Sequence, residues 1–306
     1  MEIKQVHDDI FGNCLLFTNG LAELLVTVEL GPRIIYFSRV DMENMFFQDF
    51  DLAVDGWAVF GGKRMKPYGG HRLWISPEIL PRCYYPDDAP VEYTETENGM
   101  AFTAPVEKTN LIQKTLTVRL DPDEPKVRIG HKIENCGVWD IELAPWSLTM
   151  MDAKCTTIMP VPFRETGALP TMNLSLWGYS DMSDERILWG RKYMVLRQDP
   201  EKAPPFKLGY NNEAGWAACF GKSQLFVKRF GYETGGSYPD NGCNYETYVN
   251  GAFLEMESLG ELVLLRPGEC ASHDETWEIH EAVLPPLEND EGIDKALEGY
   301  IGHPNG

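Results

Sequence analysis

What the chain lacks narrows its class first. Its 306 residues contain no run of about 18 or more apolar residues, the length that a bilayer-crossing helix needs. No membrane span is therefore expected. Clusters of Lys and Arg are missing as well. With 47 acidic against 27 basic residues, the formal net charge is −20. Such a surface repels phosphate backbones and anionic membranes, so neither nucleic acid nor membrane is expected as a partner. An anionic substrate would need a local basic pocket to overcome that field. The seven cysteines, at positions 14, 83, 136, 155, 219, 243 and 270, form no Cys-x-x-Cys pair, and no histidine follows at zinc-finger distance. There is no His-Glu-x-x-His segment and no Gly-x-Ser-x-Gly nucleophile turn. The glycine-rich stretch from Gly235 to Gly242 lacks the strand–turn–helix context and terminal lysine of a phosphate loop, and reads as the wall of a cleft. No metal and no cofactor are expected. The opening residues, Met1 to Asp9, show neither a basic n-region nor an apolar h-region. With scattered, odd-numbered thiols, this makes a reduced, cytoplasmic location the simplest expectation.

What is present is strand after strand. Asn19-Gly20 is a strong hairpin signal between Cys14–Phe17 and Glu23–Glu29. Asn98-Gly99 makes a second turn, between Val91–Glu97 and Met100–Pro105. Leu111–Leu120 and Val127–Asn135 read as a long antiparallel hairpin with one buried face. Asp140–Met151 continues the series, and Pro145 within it suggests an edge or a bulge. The last strands are Asn244–Val249, Phe253–Ser258, Glu261–Leu265 and Ala271–His280. Residues 42 to 68 read as an irregular loop interrupted by Gly56, Gly61-Gly62 and Pro67, and Pro160 to Pro205 also read as loop. Ser183–Gly190 is a weak helical hint, and Asp290–Tyr300 a short helix capped by Asn289 or Asp290. So many short strands with so little helix predict an all-β fold, a large β-sandwich forming one domain over residues 1–306.

The densest chemistry lies between Tyr68 and Glu78. Two glycines, Gly69 and Gly70, permit a sharp turn, and His71, Arg72, Trp74 and Glu78 follow within eight residues. Strand alternation sends His71 and Leu73 to one face, Arg72 and Trp74 to the other. Taken alone, the cluster reads as a tight turn feeding a strand, with Arg72 and Glu78 as an ion pair. Glu255 and Glu257 share a face near the chain's end, which suits a polar cleft as well as a solvated surface. Lys207 and Glu246 are weaker candidates. His131 stands alone in its strand, His7 and His303 lie near the termini, and His273 and His280 fall on opposite faces, so those two cannot jointly hold a metal.

The closing strands carry a resemblance. Phe253-Leu254-Glu255-Met256-Glu257, Leu264-Leu265-Arg266-Pro267-Gly268-Glu269 and the strand from His273 to Trp277 resemble the last strands of aldose 1-epimerases (galactose mutarotases). There a Leu-Glu-Thr-Gln-like strand precedes a Leu-x-Pro-Gly-Glu turn. Gly69-Gly70-His71-Arg72-Leu73-Trp74 with Pro77-Glu78 resembles an uncharacterised branch of that superfamily. The likeness covers roughly residues 10–285 and implies a twisted supersandwich with a sugar cleft on one sheet, the ligand being a small-molecule sugar or sugar derivative.

Mutarotation needs a base at the anomeric hydroxyl and an acid at the ring oxygen. The resemblance puts the base at Glu255. The family's acid histidine aligns with Trp146, in Ala144-Pro145-Trp146-Ser147, and indole cannot supply that proton, so His71 is the expected substitute. Trp146 would then stack on the sugar. Arg72 and Glu78 would bind hydroxyls, paired with each other when the site is empty, and Lys207 would assist. Two alternatives stay open, a sugar-binding protein without catalysis and a uronate β-elimination on a similar scaffold.

Overall fold

The computed structural model describes residues 1–50, 57–58, 64–287 and 289–301. Gly56, Gly61, Gly62 and His303 lie outside the described residues. Two large antiparallel sheets face each other. The first runs Glu2–Asp8, Gly12–Thr18, Ala22–Thr27, Ile34–Arg39, His71–Ser76, Ile141–Met151, Leu254–Leu259, Tyr245–Val249, Phe206–Tyr210 and Leu174–Leu176, with Val263–Leu265 pairing the Ile141–Met151 strand beside this path. The second runs Ile187–Trp189, Tyr193–Arg197, Thr156–Pro160, Trp216–Gly221, Gln224–Phe230, Cys270–Glu281, Lys126–Asn135, Ile112–Leu120, Gly99–Thr103 and Glu92–Thr96. The all-β sandwich expected from the sequence is the observed architecture.

The local signals act where the sequence places them. Asn19 uses its side-chain oxygen to accept from the backbone N–H of Leu21 and Ala22, closing the first hairpin, and Thr18 then opposes Glu23. The long hairpin pairs Leu116 with His131 and Ile112 with Asn135. Between the sheets, alternate apolar side chains interdigitate around a fully buried Trp277, against which Phe37, Phe46 and Phe226 pack with ring centroids 5.6–5.8 Å away. Burial of this kind is the main stabilising term, at about 25 cal/mol per Å² of apolar surface.

Three expectations are corrected. The stretch from Pro160 to Pro205 is not all loop: Leu174–Leu176, Ile187–Trp189 and Tyr193–Arg197 extend both sheets. Ser183–Gly190 holds no helix, because Ile187–Trp189 finds the free edge of Tyr193–Arg197. Pro145 sits in a central strand, not at an edge. Its missing N–H falls just beyond the Trp146–Leu259 pair, where the neighbouring strand changes from Leu254–Leu259 to Val263–Leu265. The Pro145 carbonyl accepts there from the N–H of Gly260, and a Cβ on Gly260 would lie 3.1 Å from the proline ring. Helix Asp290–Leu297 forms as expected, with the Asn289 side chain accepting from the Gly292 N–H.

Candidate functional site

The His71–Ser76 strand sets the geometry, because its neighbours on both sides keep the same alternation. Cross-strand pairing brings Arg72 opposite Leu148 and Leu148 opposite Glu257. It then brings Glu257 opposite Glu246, and Tyr248 opposite both Glu255 and Lys207. Directly opposed residues share a face. Arg72, Trp74, Trp146, Lys207, Glu246, Tyr248, Glu255 and Glu257 are therefore displayed together on the outward face of the first sheet. His71, Ser147, Thr149 and Ser258 point the other way, into the sandwich.

On the outward face, Arg72 Nη2 donates to Glu255 Oε1 at 3.0 Å. Lys207 Nζ lies 2.7 Å from Glu246 Oε2 and 3.0 Å from Glu257 Oε2. The same ammonium sits over the rings of Trp146 and Trp177, 4.7 and 4.5 Å from their centroids. Trp146 donates its indole N–H to Glu257 at 2.8 Å and packs edge-on against Trp74. The Arg72 guanidinium stacks 4.4 Å from Trp74. Tyr84 donates to Glu78 at the rim and contacts Trp74 edge-on. No member of the ionic cluster is more than 8% exposed. Gly209 makes room for it, since a Cβ there would meet Glu246 Cγ at 3.0 Å.

Burial dominates the electrostatics. It pushes the Glu255 carboxyl above its ordinary value, with Glu257 adding to the rise and Arg72 opposing it. Burial raises Glu246 strongly as well, against the pull of Lys207. Desolvation works against the Lys207 ammonium too, yet Glu246 and Glu257 together hold its pKa well above that of an ordinary lysine. A carboxylate with a raised pKa, positioned by an arginine, is a stronger base than an ordinary glutamate.

The inward network is of another kind. His71 is fully buried. Its Nδ1 lies 2.8 Å from Thr149 Oγ1 and its Nε2 2.8 Å from His131 Nε2, while His131 Nδ1 lies 2.8 Å from the His273 carbonyl oxygen. A carbonyl only accepts, which fixes the direction of the whole chain. Thr149 donates to His71, His71 to His131, and His131 to the carbonyl, with both imidazoles neutral. Beside it, Lys228 Nζ lies 2.9 Å from Glu275 Oε1 and donates to the Met256 carbonyl. Ser147 and Ser258 also donate to Glu275 Oε1, and Trp277 donates to Oε2. Burial lowers the pKa of His71, His131 and His273, the last to about 3. Burial would raise Glu275, but the Lys228 ammonium holds it well below the usual carboxylate range.

The structure thus brings Arg72, Trp146, Lys207 and Glu255 together, with Glu78 at the rim, and does not bring His71 to them. Alternation explains the correction: a residue next to Arg72 on a paired strand cannot share its face. The Arg72–Glu78 pair is also corrected, because Glu78 follows the end of the strand on an exposed loop while Arg72 reaches Glu255 instead. Trp146 is 3% exposed with Lys207 over its ring, so that ring is occupied rather than an open platform. His131 is not alone, since the facing sheet supplies His71. Tyr248 could have been found by alternation from Glu246. Trp177 and Tyr179 come from loops and Tyr84 from the short 3-10 turn Arg82–Tyr84, where no periodicity points to them.

Among the described residues one trio could ligate a metal. The ligand atoms of His71, His131 and Glu275 lie within 4.8 Å of one another. Their hydrogen bonds to each other's neighbours and the Lys228 ammonium against Glu275 suit a proton-ordered network better than a cation. A cavity of about 490 Å³, bordered by Pro32, Leu73, Trp74, Pro86 and Val106, opens to one side and includes none of the charged cluster.

No protein-family model matches the chain, and no curated protein does. Solved structures match it in fold. A galactose mutarotase-like protein from Lactobacillus casei ATCC 334 superposes with a TM-score of 0.59 and 10% identity, over 87% of this chain and 100% of that one. Slr1438 protein from Synechocystis sp. PCC 6803 does so at 0.56 and 12%, over 92% and 96%. The galactose mutarotase related enzyme from Lactobacillus acidophilus gives 0.52 and 8%, over 88% and 98%. At such identities the likeness is one of architecture, and the chain has the galactose mutarotase-like fold.

Proposed function

We propose that the outward face of the first sheet binds a sugar or sugar derivative and interconverts its anomers, with Glu255 as general base. The observation that carries the reading is the Arg72–Glu255 pair at 3.0 Å beside Trp74, Trp146 and Lys207. A carboxylate with a raised pKa beside aromatic rings is the combination that sugar proton transfer uses. Glu255 would take the anomeric hydroxyl proton while a donor on the same face protonates the ring oxygen. The ring opens, the aldehyde rotates, and closure returns both protons. Seven free thiols support a reducing, cytoplasmic setting.

The test is anomer exchange measured by NMR across a panel of aldoses. Glu255→Gln should slow exchange roughly 100-fold or more, the usual contribution of a general base. A second reading, sugar binding without catalysis, is favoured by the burial of His71 away from this face. If sugars raise the melting temperature while none exchanges faster than in buffer, that second reading replaces the first.

A further inference from the structure

The outward cluster has an imbalance of charge. Arg72 and Lys207 face three carboxyl groups, Glu246, Glu255 and Glu257, and all five are at least nine-tenths buried. Buried like charges held close cannot all ionise. Glu255 has Arg72 to itself. Glu246 and Glu257 must share the single ammonium of Lys207, each through its Oε2. That leaves Glu246 Oε1 and Glu257 Oε1, two buried oxygens without a hydrogen-bond partner, on residues directly opposed across adjacent strands. A carboxylate oxygen can only accept, and two carboxylates that share one ammonium in a buried site repel each other. One proton on the pair removes that repulsion and turns one of the two groups into a donor.

We propose that Glu246 and Glu257 share one proton at neutral pH, and that this carboxyl pair is the proton donor of the sugar face. The second half rests on the epimerase reading above. The other groups bearing on the pair are Lys207, Arg72 and Glu255, with Asp240 and Cys243 acting on Glu246, Lys228 and Tyr245 acting on Glu257 from the inner face, and Tyr179 and Tyr248 toward solvent. Asp240 adds negative charge and favours the protonated state. The raised pKa of Glu246 agrees with this assignment. In the reaction, the pair's proton passes to the ring oxygen as the C1–O5 bond breaks, and Glu255 accepts the anomeric hydroxyl proton. Ring closure on the other face reverses both transfers, so the protein ends with the protons it began with.

Infrared difference spectroscopy of the wild-type protein tests the first half without any variant. A carboxylic C=O band at pH 7 that shifts in D2O is expected, and Glu246→Gln should remove it. A wild-type spectrum without such a band overturns the shared proton. The second half is tested by anomer exchange in Glu246→Gln, whose amide cannot protonate an ether oxygen. Exchange should fall roughly 100-fold and lose the alkaline limb of its pH profile, with sugar affinity changed only a few-fold. Wild-type exchange in a variant that has lost the band overturns the donor role alone. A wild-type protein that shows the band yet exchanges no sugar overturns the donor role together with the epimerase reading, and leaves the shared proton standing.

Discussion

Two polar layers lie on opposite faces of the same strands, and they differ in how completely they are satisfied. Inside the sandwich, the chain from Thr149 through His71 and His131 to the His273 carbonyl uses its donors and acceptors in sequence, and Glu275 is filled by Lys228, Ser147, Ser258 and Trp277. The Tyr245 hydroxyl on the inner face is buried without a partner, whereas on the outer face Arg72 Nε and Nη1, Glu246 Oε1 and Glu257 Oε1 all are. A filled network holds two sheets in register. An unfilled one carries a cost of roughly 1–3 kcal/mol per buried group, which is tolerable where a proton or ligand group completes it. The contrast teaches that histidine content alone is a poor guide to the site: this fold spends three of its histidines on cohesion.

The sharpest way to break this contrast is to remove one charge from the inner layer. Lys228→Met should destabilise the protein by about 3–5 kcal/mol, because Glu275 is left charged and buried. Lys228→Met combined with Glu275→Leu should recover most of that loss in denaturant unfolding. A single variant as stable as wild type would show that the inner layer is not the cohesive one.

His71→Ala comes next. Leaving His131 and Thr149 without a partner should cost about 2–3 kcal/mol, while anomer exchange per folded molecule stays at the wild-type rate. Loss of exchange in a fully folded His71→Ala protein would mean that the two layers are functionally joined.

The smallest effect is a difference of sign with pH. The folded-state pKa values of His71, His131 and His273 are depressed below the unfolded value near 6.5, and that of Glu275 below 4.5. Their contribution to stability is present above those unfolded values and is lost as pH falls, for His273 through the window from 6.5 to about 3. Glu246 and Glu255 have raised folded values, so the folded state takes up protons before the unfolded one and their effect on stability is the opposite. Melting temperature should fall between pH 7 and pH 4 in the wild type, and less steeply in His273→Gln. An equal slope in both would sever the link between acid sensitivity and the inner layer.

The sheet architecture was legible because alternation and turn chemistry are local: Asn19-Gly20, the long hairpin and the Glu255–Glu257 face could all be read from neighbouring residues. The site was half legible for the same reason. Alternation put Arg72 with Trp74 and separated both from His71, so His71 as acid conflicted with the period of its own strand. The His71–His131 contact joins residues 60 apart and belongs to sheet stacking, which no single-strand pattern encodes. Glu246 drew little weight from sequence because its chemistry depends on Lys207 and Glu257 arriving from two other strands.

The alternation of incompatible chemistry along His71–Ser76 also makes the strand intolerant of slippage. Moving it by one residue would carry the Arg72 guanidinium into the aromatic core around Trp277 and turn neutral, proton-ordered imidazole outward beside Glu255. A one-residue deletion in this strand should therefore abolish folding. The strand holds its place by charge as firmly as by shape, and evolution of this face has to proceed through substitutions and loop changes, with the strand's length left alone.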